Sequence, residues 1–355
     1  MKENTKRYPV EKLEEAICFD DVLLKPAKSS IKSREEISLK TSLGNIPFDL
    51  PIVSSPMDTV TESAMANAML KFGGLGVVHR YNSIKDQAGI VSRITENLLM
   101  ENHHAKDKAA AAIGASGDYM ERARALHASG TRILCVDIAH GHHSLMKSAL
   151  NNLKDAFGTS VHLMAGNVAT LEAFNDLSDW GADSIRVGIG GGSICSTRIQ
   201  TGHGVPTLQS IFDCAQSDRS ATLIADGGIK TAGDIVKAIA AGAEMVMLGS
   251  MLAGTSETPG QKFASAEGKE YKVYRGMASP EAQISWRGET RSLEGVSTTI
   301  PFKGSVNKIL LNLRQNIKSG LSYTGTKNIR DFQHRAKFIR QTGASMLESK
   351  THILN

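Results

Sequence analysis

Three consecutive glycines, Gly190-Gly191-Gly192, run directly into Ser193-Ile194-Cys195-Ser196-Thr197-Arg198. Bare glycine backbone lets a phosphate approach closely and accept from N–H groups, and a thiol just beyond can reach the base of the same nucleotide. The stretch therefore reads as nucleotide holder and nucleophile combined; the plainer alternative is a tight turn beside a buried, inert cysteine. Two further glycine-bearing turns, Asp226-Gly227-Gly228 and Gly249-Ser250, offer more N–H donors, a hydroxyl, and in Asp226 an acceptor for ribose hydroxyls. Either could be an ordinary tight turn, but together with the cysteine loop they favour phosphate. Asp137-Ile138-Ala139-His140-Gly141-His142-His143 invites a metal reading, yet no second carboxylate-rich cluster completes a site. Asp137 is better read as a contact to substrate or cofactor, and the histidines as polar lining or surface. Glu294, within Arg291-Ser292-Leu293-Glu294-Gly295, would ordinarily be a solvated loop residue.

Such residues need elements to position them. Short apolar runs alternate with helical patterns, the signature of βα units on a parallel sheet. Eight candidate strands follow in order: 50–54, 75–78, 111–113, 133–137, 162–166, 184–188, 222–226 and 245–248. Eight predict a (β/α)8 barrel, with helices such as 63–70 and 233–240 between strands. Barrel active sites lie at the C-terminal ends of the strands. The unusual residues gather there: Ser55 to Thr59 after the first strand, Asp137 to His140 after the fourth, Gly166-Asn167 at the fifth, the cysteine loop after the sixth, and the two glycine turns at the seventh and eighth. A polar, weakly periodic segment at about 254–300 predicts a mobile flap, and about 325–355 a C-terminal extension, all within one catalytic domain spanning 1–355.

Composition narrows the function classes. Lys and Arg number 41 against 36 Asp and Glu, a net charge of +5 that is too mild and too evenly spread for a nucleic-acid binder but suits an anionic small molecule. The four cysteines, Cys18, Cys135, Cys195 and Cys214, form no CxxC pair, so neither a zinc site nor a disulfide framework is expected. No segment approaches the roughly 20 apolar residues of a membrane helix. The expectation is a soluble, cytoplasmic protein with no membrane or nucleic-acid partner.

Phe19-Asp20-Asp21-Val22-Leu23-Leu24-Lys25-Pro26, Ser55-Pro56-Met57-Asp58-Thr59-Val60-Thr61-Glu62, Met164-Ala165-Gly166-Asn167-Val168, the cysteine loop, Ala225-Asp226-Gly227-Gly228-Ile229, Met247-Leu248-Gly249-Ser250 and Tyr274-Arg275-Gly276-Met277 resemble the IMP dehydrogenase/GMP reductase family, in order and with consistent spacing. Within it the resemblance is nearer the reductases. The interval from His79 to Ala111 is too short for the paired CBS domains usual in dehydrogenases. Between Met277 and Pro301 there is no Arg-Tyr pair of the kind that activates water in dehydrogenases, and Arg291 to Gly295 is similar to the reductase pattern Arg-x-Ser-Glu-Gly with Leu293 in place of serine. Three departures stand against it: Gly191 where the family has proline, Ser196 for threonine, and a dehydrogenase-like Ser54-Ser55-Pro56-Met57.

The resemblance implies NADPH-dependent reductive deamination of GMP to IMP and ammonia, with Cys195 as nucleophile and Thr197 with Glu294 as proton relay. It implies substrate contacts from Ser55, Met57, Ser193, Asp226, Gly228, Gly249, Ser250, Tyr274, Gly276, Met277 and Arg291, and cofactor contacts from Asp137, Ala139, Asn167 and Gly188. A monovalent cation, K+, held by carbonyls of Gly190, Gly192 and Cys195, and a homotetramer are implied as well. Three other readings compete: an IMP dehydrogenase without CBS domains, making XMP from IMP, NAD and water; a non-catalytic purine nucleotide sensor, which need not keep Cys195, Thr197 and Glu294 together; and a flavin-dependent barrel enzyme, which would be coloured.

Overall fold

The structure, a computed structural model, describes residues 13–101, 107–290 and 294–349. Eight parallel strands close on themselves: β1 (Ile52–Ser54), β2 (Leu75–Val78), β3 (Ala110–Ile113), β4 (Ile133–Asp137), β5 (His162–Val168), β6 (Ser184–Val187), β7 (Thr222–Asp226) and β8 (Met245–Leu248). Closure is made by β8 on β1, with Val246 opposite Ile52 and Leu248 opposite Ser54. The strands read as largely apolar runs because both faces are buried. In β3, Ala110 and Ala112 face the barrel interior with Val53, Val77, Met164 and Met247, while Ala111 and Ile113 face the surrounding helices. Period-two alternation thus sorts one apolar run into two cores.

Helices α1 (Ser63–Lys71), α2 (Ile84–Glu101), α3 (Tyr119–Ala128), α4 (Ser144–Phe157) and α5 (Leu171–Asp179) follow β1 to β5 in turn. A short α6 (Thr197–Thr201) and then α7 (Thr207–Cys214) follow β6, and α8 (Ala232–Ala240) follows β7. The sequence expectation of a (β/α)8 barrel holds, with shifts of one or two residues at strand ends. Gly188 falls outside β6 because its φ of +144° is closed to ordinary residues, and a Cβ there would lie 1.9 Å from the Asp226 carbonyl oxygen.

The segment expected to be a mobile flap carries its own elements. Strands β9 (Phe263–Ala264), β10 (Glu270–Arg275) and β11 (Ser297–Pro301) form an antiparallel sheet, with α9 (Pro280–Arg287) between the last two. Helix α10 (Val306–Ser322) then packs against both α8 and α1, so it is the eighth barrel helix. The flap is therefore an insertion between the last strand and the helix that completes the ring. Beyond α10, α11 (Ile329–Arg335) leads to a strand, Phe338–Arg340, that pairs antiparallel with Val22–Leu24 and ties the C-terminal extension to the start of the described chain.

At the other end, a hairpin of Thr41–Leu43 and Ile46–Phe48 plugs the barrel with Leu43 and Phe48. Beneath it lie His162, donating to or accepting from Ser184 Oγ at 2.8 Å, and Glu244, which accepts the Leu223 N–H at 2.9 Å. Burial pushes the His162 imidazole down to about 4 and the Glu244 carboxyl up to about 7. These shifts oppose each other in linkage. As pH rises from about 4 to 6.5, a depressed histidine adds stability because the unfolded chain holds the extra proton; from about 4.5 to 7 a raised carboxyl removes stability because the folded chain holds it. Glu244→Gln removes the second contribution alone. Denaturant unfolding between pH 4 and 7 should then show stability climbing more steeply with pH than in wild type; an unchanged pH profile would refute the assignment.

Candidate active site

One cavity of about 330 Å³ opens at the C-terminal ends of the strands, within the range of small-molecule sites. Cys195, Thr197, Glu294 and every other site residue named from the sequence line it, except Arg291, which lies outside the described residues. Residues far apart in the chain, from Ser55 to Gly295, thus share one wall because successive strand ends of a barrel are neighbours around a ring.

The cysteine loop meets the flap at the centre. Cys195 forms a bridge opposite Gly295; the Ser196 N–H donates to the Glu294 carbonyl at 3.0 Å and the Val296 N–H to the Ile194 carbonyl at 3.0 Å. This stitching sets side-chain order. The Cys195 thiol donates to Thr197 Oγ1 at 3.1 Å, and the Thr197 hydroxyl donates to Glu294 Oε2 at 2.8 Å. A thiol, a hydroxyl and a carboxylate therefore form one hydrogen-bonded chain, two groups from the barrel and one from the flap.

A polar recess adjoins it. Ser193 Oγ and the Tyr274 hydroxyl are 3.4 Å apart, and a Cβ on Gly249 would come within 3.1 to 3.3 Å of Ser55 Oγ, the Tyr274 hydroxyl and Met57 Sδ. Glycine at 249 keeps this space open. Ser55 Oγ is buried with no hydrogen-bond partner among the described residues, an orphan a ligand oxygen would satisfy. Gly191 packs on Gly227 and Gly228, and a Cβ there would stand 2.4 Å from Thr207 Oγ1. Any side chain at 191, a proline ring included, would meet Thr207.

The charges lie beside the loop. Arg186, 6% exposed in the middle of β6, donates to Asp137 Oδ1 at 2.5 Å and to Asp226 Oδ2 at 3.1 and 2.8 Å. Burial works against its charge, but the two carboxylates outweigh it and hold the guanidinium well above its ordinary pKa. Asn167 Nδ2 adds a third donor to Asp226 Oδ2 at 2.9 Å, so Oδ1 is the oxygen left for a ligand. Arg186 was missed in the sequence although a charge inside an apolar strand run signals it. Also missed were Arg80 and Tyr81, which follow β2, where Tyr81 stacks on Trp286 of the flap with ring centroids 4.3 Å apart.

The histidine cluster disperses: His142 pairs with Asp176 at 2.8 Å, and His143 caps α4. Of the carbonyls named for a monovalent cation, Gly192 already accepts the Cys195 N–H at 3.1 Å, and the Arg198 side chain packs over Gly190. A carbonyl oxygen that accepts one N–H keeps a second lone pair, and no step is routed through a cation.

Fold and cavity define a (β/α)8-barrel protein with a cysteine-centred site at its mouth. The profile of the IMP dehydrogenase / GMP reductase domain matches residues 16–352, and the chain belongs to that family, whose named activities are oxidoreductions with nicotinamide cofactors. Inosine-5'-monophosphate dehydrogenase of Nitrosopumilus maritimus is 34% identical over 95% of this chain and 98% of its own length, and GMP reductase of Leishmania major 33% identical over 96% and 97%. The crystal structure of a cysteine-to-alanine variant of GMP reductase from Trypanosoma brucei in complex with guanosine 5'-monophosphate superposes with a TM-score of 0.89 at 31% identity, covering 96% of this chain and 98% of that one. Among the described residues no helix is long and apolar enough to cross a membrane.

Two predictions test this geometry. Burial pushes the thiols of Cys135 and Cys214 up to about 11 and 12, and Cys18 is also raised, first by burial. Limiting iodoacetamide at neutral pH should therefore label Cys195 first by peptide mass, and labelling that begins at Cys18 would contradict the assignment. Arg186→Met strands two carboxylates beside each other, and losing one member of a buried ion pair costs about 3–5 kcal/mol. Denaturant unfolding should register a loss of that order, and an unaltered midpoint would show the bridge to be dispensable.

Proposed function

We propose that this protein is a GMP reductase, converting GMP to IMP and ammonia with NADPH. The observation that carries the reading is the Cys195–Thr197–Glu294 hydrogen-bonded chain, already assembled across barrel and flap. The thiolate of Cys195 attacks C2 of the purine, forming a C–S bond. The amino group on C2 leaves as ammonia, taking a proton from Thr197 that Glu294 replaces. NADPH supplies the hydride that C2 then gains, the C–S bond breaks, and IMP leaves with the thiolate restored. Ser193, Ser250, Tyr274 and the N–H groups of Gly228 and Gly249 would hold the phosphate, with Ser55 Oγ also within that recess; Oδ1 of Asp226 would accept from the ribose. Gly276 and Met277 would flank the base, and Asp137, Ala139, Asn167 and Gly188 the nicotinamide half of the cofactor. Arg291 would add a flap contact to nucleotide or cofactor.

We further infer a cytoplasmic homotetramer, with a single catalytic domain in each chain. Supporting the assembly, Ile199 on α6, Ile284 on α9 and Val296 near β11 are large apolar side chains left more than half or about half exposed around the cysteine loop and flap.

GMP with NADPH, and separately IMP with NAD, should be followed by absorbance of the reduced nicotinamide. Turnover is expected only in the first; XMP formed from IMP at a catalytic rate would replace this reading with the dehydrogenase. Glu294→Gln should slow GMP reduction by about 10²–10⁴-fold, the usual cost of losing a general acid, with GMP affinity nearly unchanged. The reverse half-reaction of IMP with oxidised cofactor, which expels no amine, should survive better. Equal loss in both directions would remove Glu294 from the deamination step.

A further inference from the structure

The turn that follows β8, Gly249 to Ser256, borders the polar recess at its first two residues and is held from behind by the chain that leaves the flap after β11. The Lys303 N–H donates to the Gly254 carbonyl at 2.8 Å and the Ser256 N–H to the Gly304 carbonyl at 2.9 Å, so the two segments run paired. Gly254, at a φ of +81°, permits the approach: a Cβ there would lie 2.9 Å from the Pro301 carbonyl oxygen. The Lys303 ammonium then donates to the Ser250 carbonyl at 2.7 Å and to the Met251 carbonyl at 3.4 Å. Lys303 lines no part of the cavity. Partial burial pushes its ammonium below the usual value, and no carboxylate offsets that cost.

A trans peptide unit points its C=O and its N–H in opposite directions. The Gly249 carbonyl accepts from the Leu252 and Ala253 N–H groups at 3.0 and 2.9 Å, and the Ser250 carbonyl from Lys303, so the N–H groups of Ser250 and Met251 are turned the other way. No backbone carbonyl among the described residues accepts either of them. The turn is therefore polarised, with a cation on its carbonyl side and unmatched donors on the side away from that cation. Such donors are fixed before an anion arrives, and the ammonium offsets the partial negative charge of the carbonyls behind them.

We propose that Lys303 is a positioning residue for the 5'-phosphate of the nucleotide, acting through the Ser250–Met251 peptide without touching the ligand and favouring nucleotides over nucleosides. The inference rests on the purine-nucleotide reading of the cavity and deepens it; either of the family's two reactions could follow. Lys272 on β10 supplies the contrast. It donates to the Thr255 and Thr258 carbonyls at 3.1 and 2.6 Å, beyond the residues that line the cavity. Two lysines clamp the segment after β8, and Lys303 does so at the cavity end.

Protection of Cys195 from iodoacetamide, followed by peptide mass, tests this with IMP and with inosine, which differ only in the phosphate. Lys303→Met should raise the half-protecting concentration of IMP about tenfold, the equivalent of one hydrogen bond to a charged group. The half-protecting concentration of inosine, and the alkylation rate without nucleotide, should not change; a disordered turn would move all three. Lys303→Gln carries the same expectation should the methionine variant not fold. Lys303→Arg, which keeps the charge and its donors, should bind IMP within about threefold of wild type. Unchanged IMP protection in Lys303→Met, an equal loss for IMP and inosine, or an arginine variant as weak as the methionine one would each overturn the proposal. If neither IMP nor inosine protects wild-type Cys195, the nucleotide reading falls and takes this one with it. If IMP protects and Lys303→Met changes nothing, this one falls alone.

Discussion

The arrangement of the mouth depends on a single guanidinium placed where water scarcely reaches. Arg186 projects from an apolar strand into the space between Asp137 on β4 and Asp226 on β7, and the two carboxylates offset the cost of burying its charge there. Each aspartate equally needs the arginine. Because the three residues sit on different strands, the triad fixes β4, β6 and β7 relative to one another at the rim. Gly188 can turn sharply only against the Asp226 carbonyl, and the cysteine loop begins two residues later. The Cys195 thiol thus inherits its position from an ion-pair network that never touches it.

The flap supplies the other half of the site, and its place in the chain explains how. Inserted between β8 and the helix that closes the barrel, it is anchored at both ends by core elements. Arg275 on β10 donates to Asp58 Oδ2 at 2.9 Å, tying the flap's root to the loop after β1. From there the chain reaches outward and returns, so that Glu294 arrives beside Thr197 through the backbone pairing of Cys195 with Gly295. A carboxylate delivered by such an insertion can differ between relatives while the thiol stays on the barrel.

How much of this was legible in the sequence follows from which signals are local. Strand positions were, since a barrel strand buried on both faces is largely apolar, as Ala110 to Ile113 and Met245 to Leu248 are. Glycine turns at β7 and β8 and the cysteine loop were visible because their chemistry is written in consecutive residues. The flap's sheet was not, because its strands are half-exposed and rich in polar residues, and β10 pairs with β11 across the intervening α9. Arg80, Tyr81 and Trp286 escaped because their partnership joins the end of β2 to a helix far along the chain. The lone charge at Arg186 was legible, but its partners are defined only once the barrel closes.

Length does not separate the two activities of the family. The alignment with the Leishmania major GMP reductase runs over 479 positions and that with the Nitrosopumilus maritimus dehydrogenase over 469, both far beyond the 355 residues here, so each carries additional sequence. The short interval after His79 therefore does not separate the two reactions, and the choice returns to the groups around Cys195. An Arg-Tyr pair does line the cavity, at Arg80 and Tyr81, rather than in the flap. Tyr81 is a poor candidate to activate water: burial pushes its phenol up, against ionisation, and its ring is committed to the stack with Trp286. Glu294, by contrast, is hydrogen-bonded to the hydroxyl of Thr197 beside the Cys195 thiol. A carboxylate so placed is suited to passing a proton to a departing amine, which is the step a reductase has and a dehydrogenase lacks.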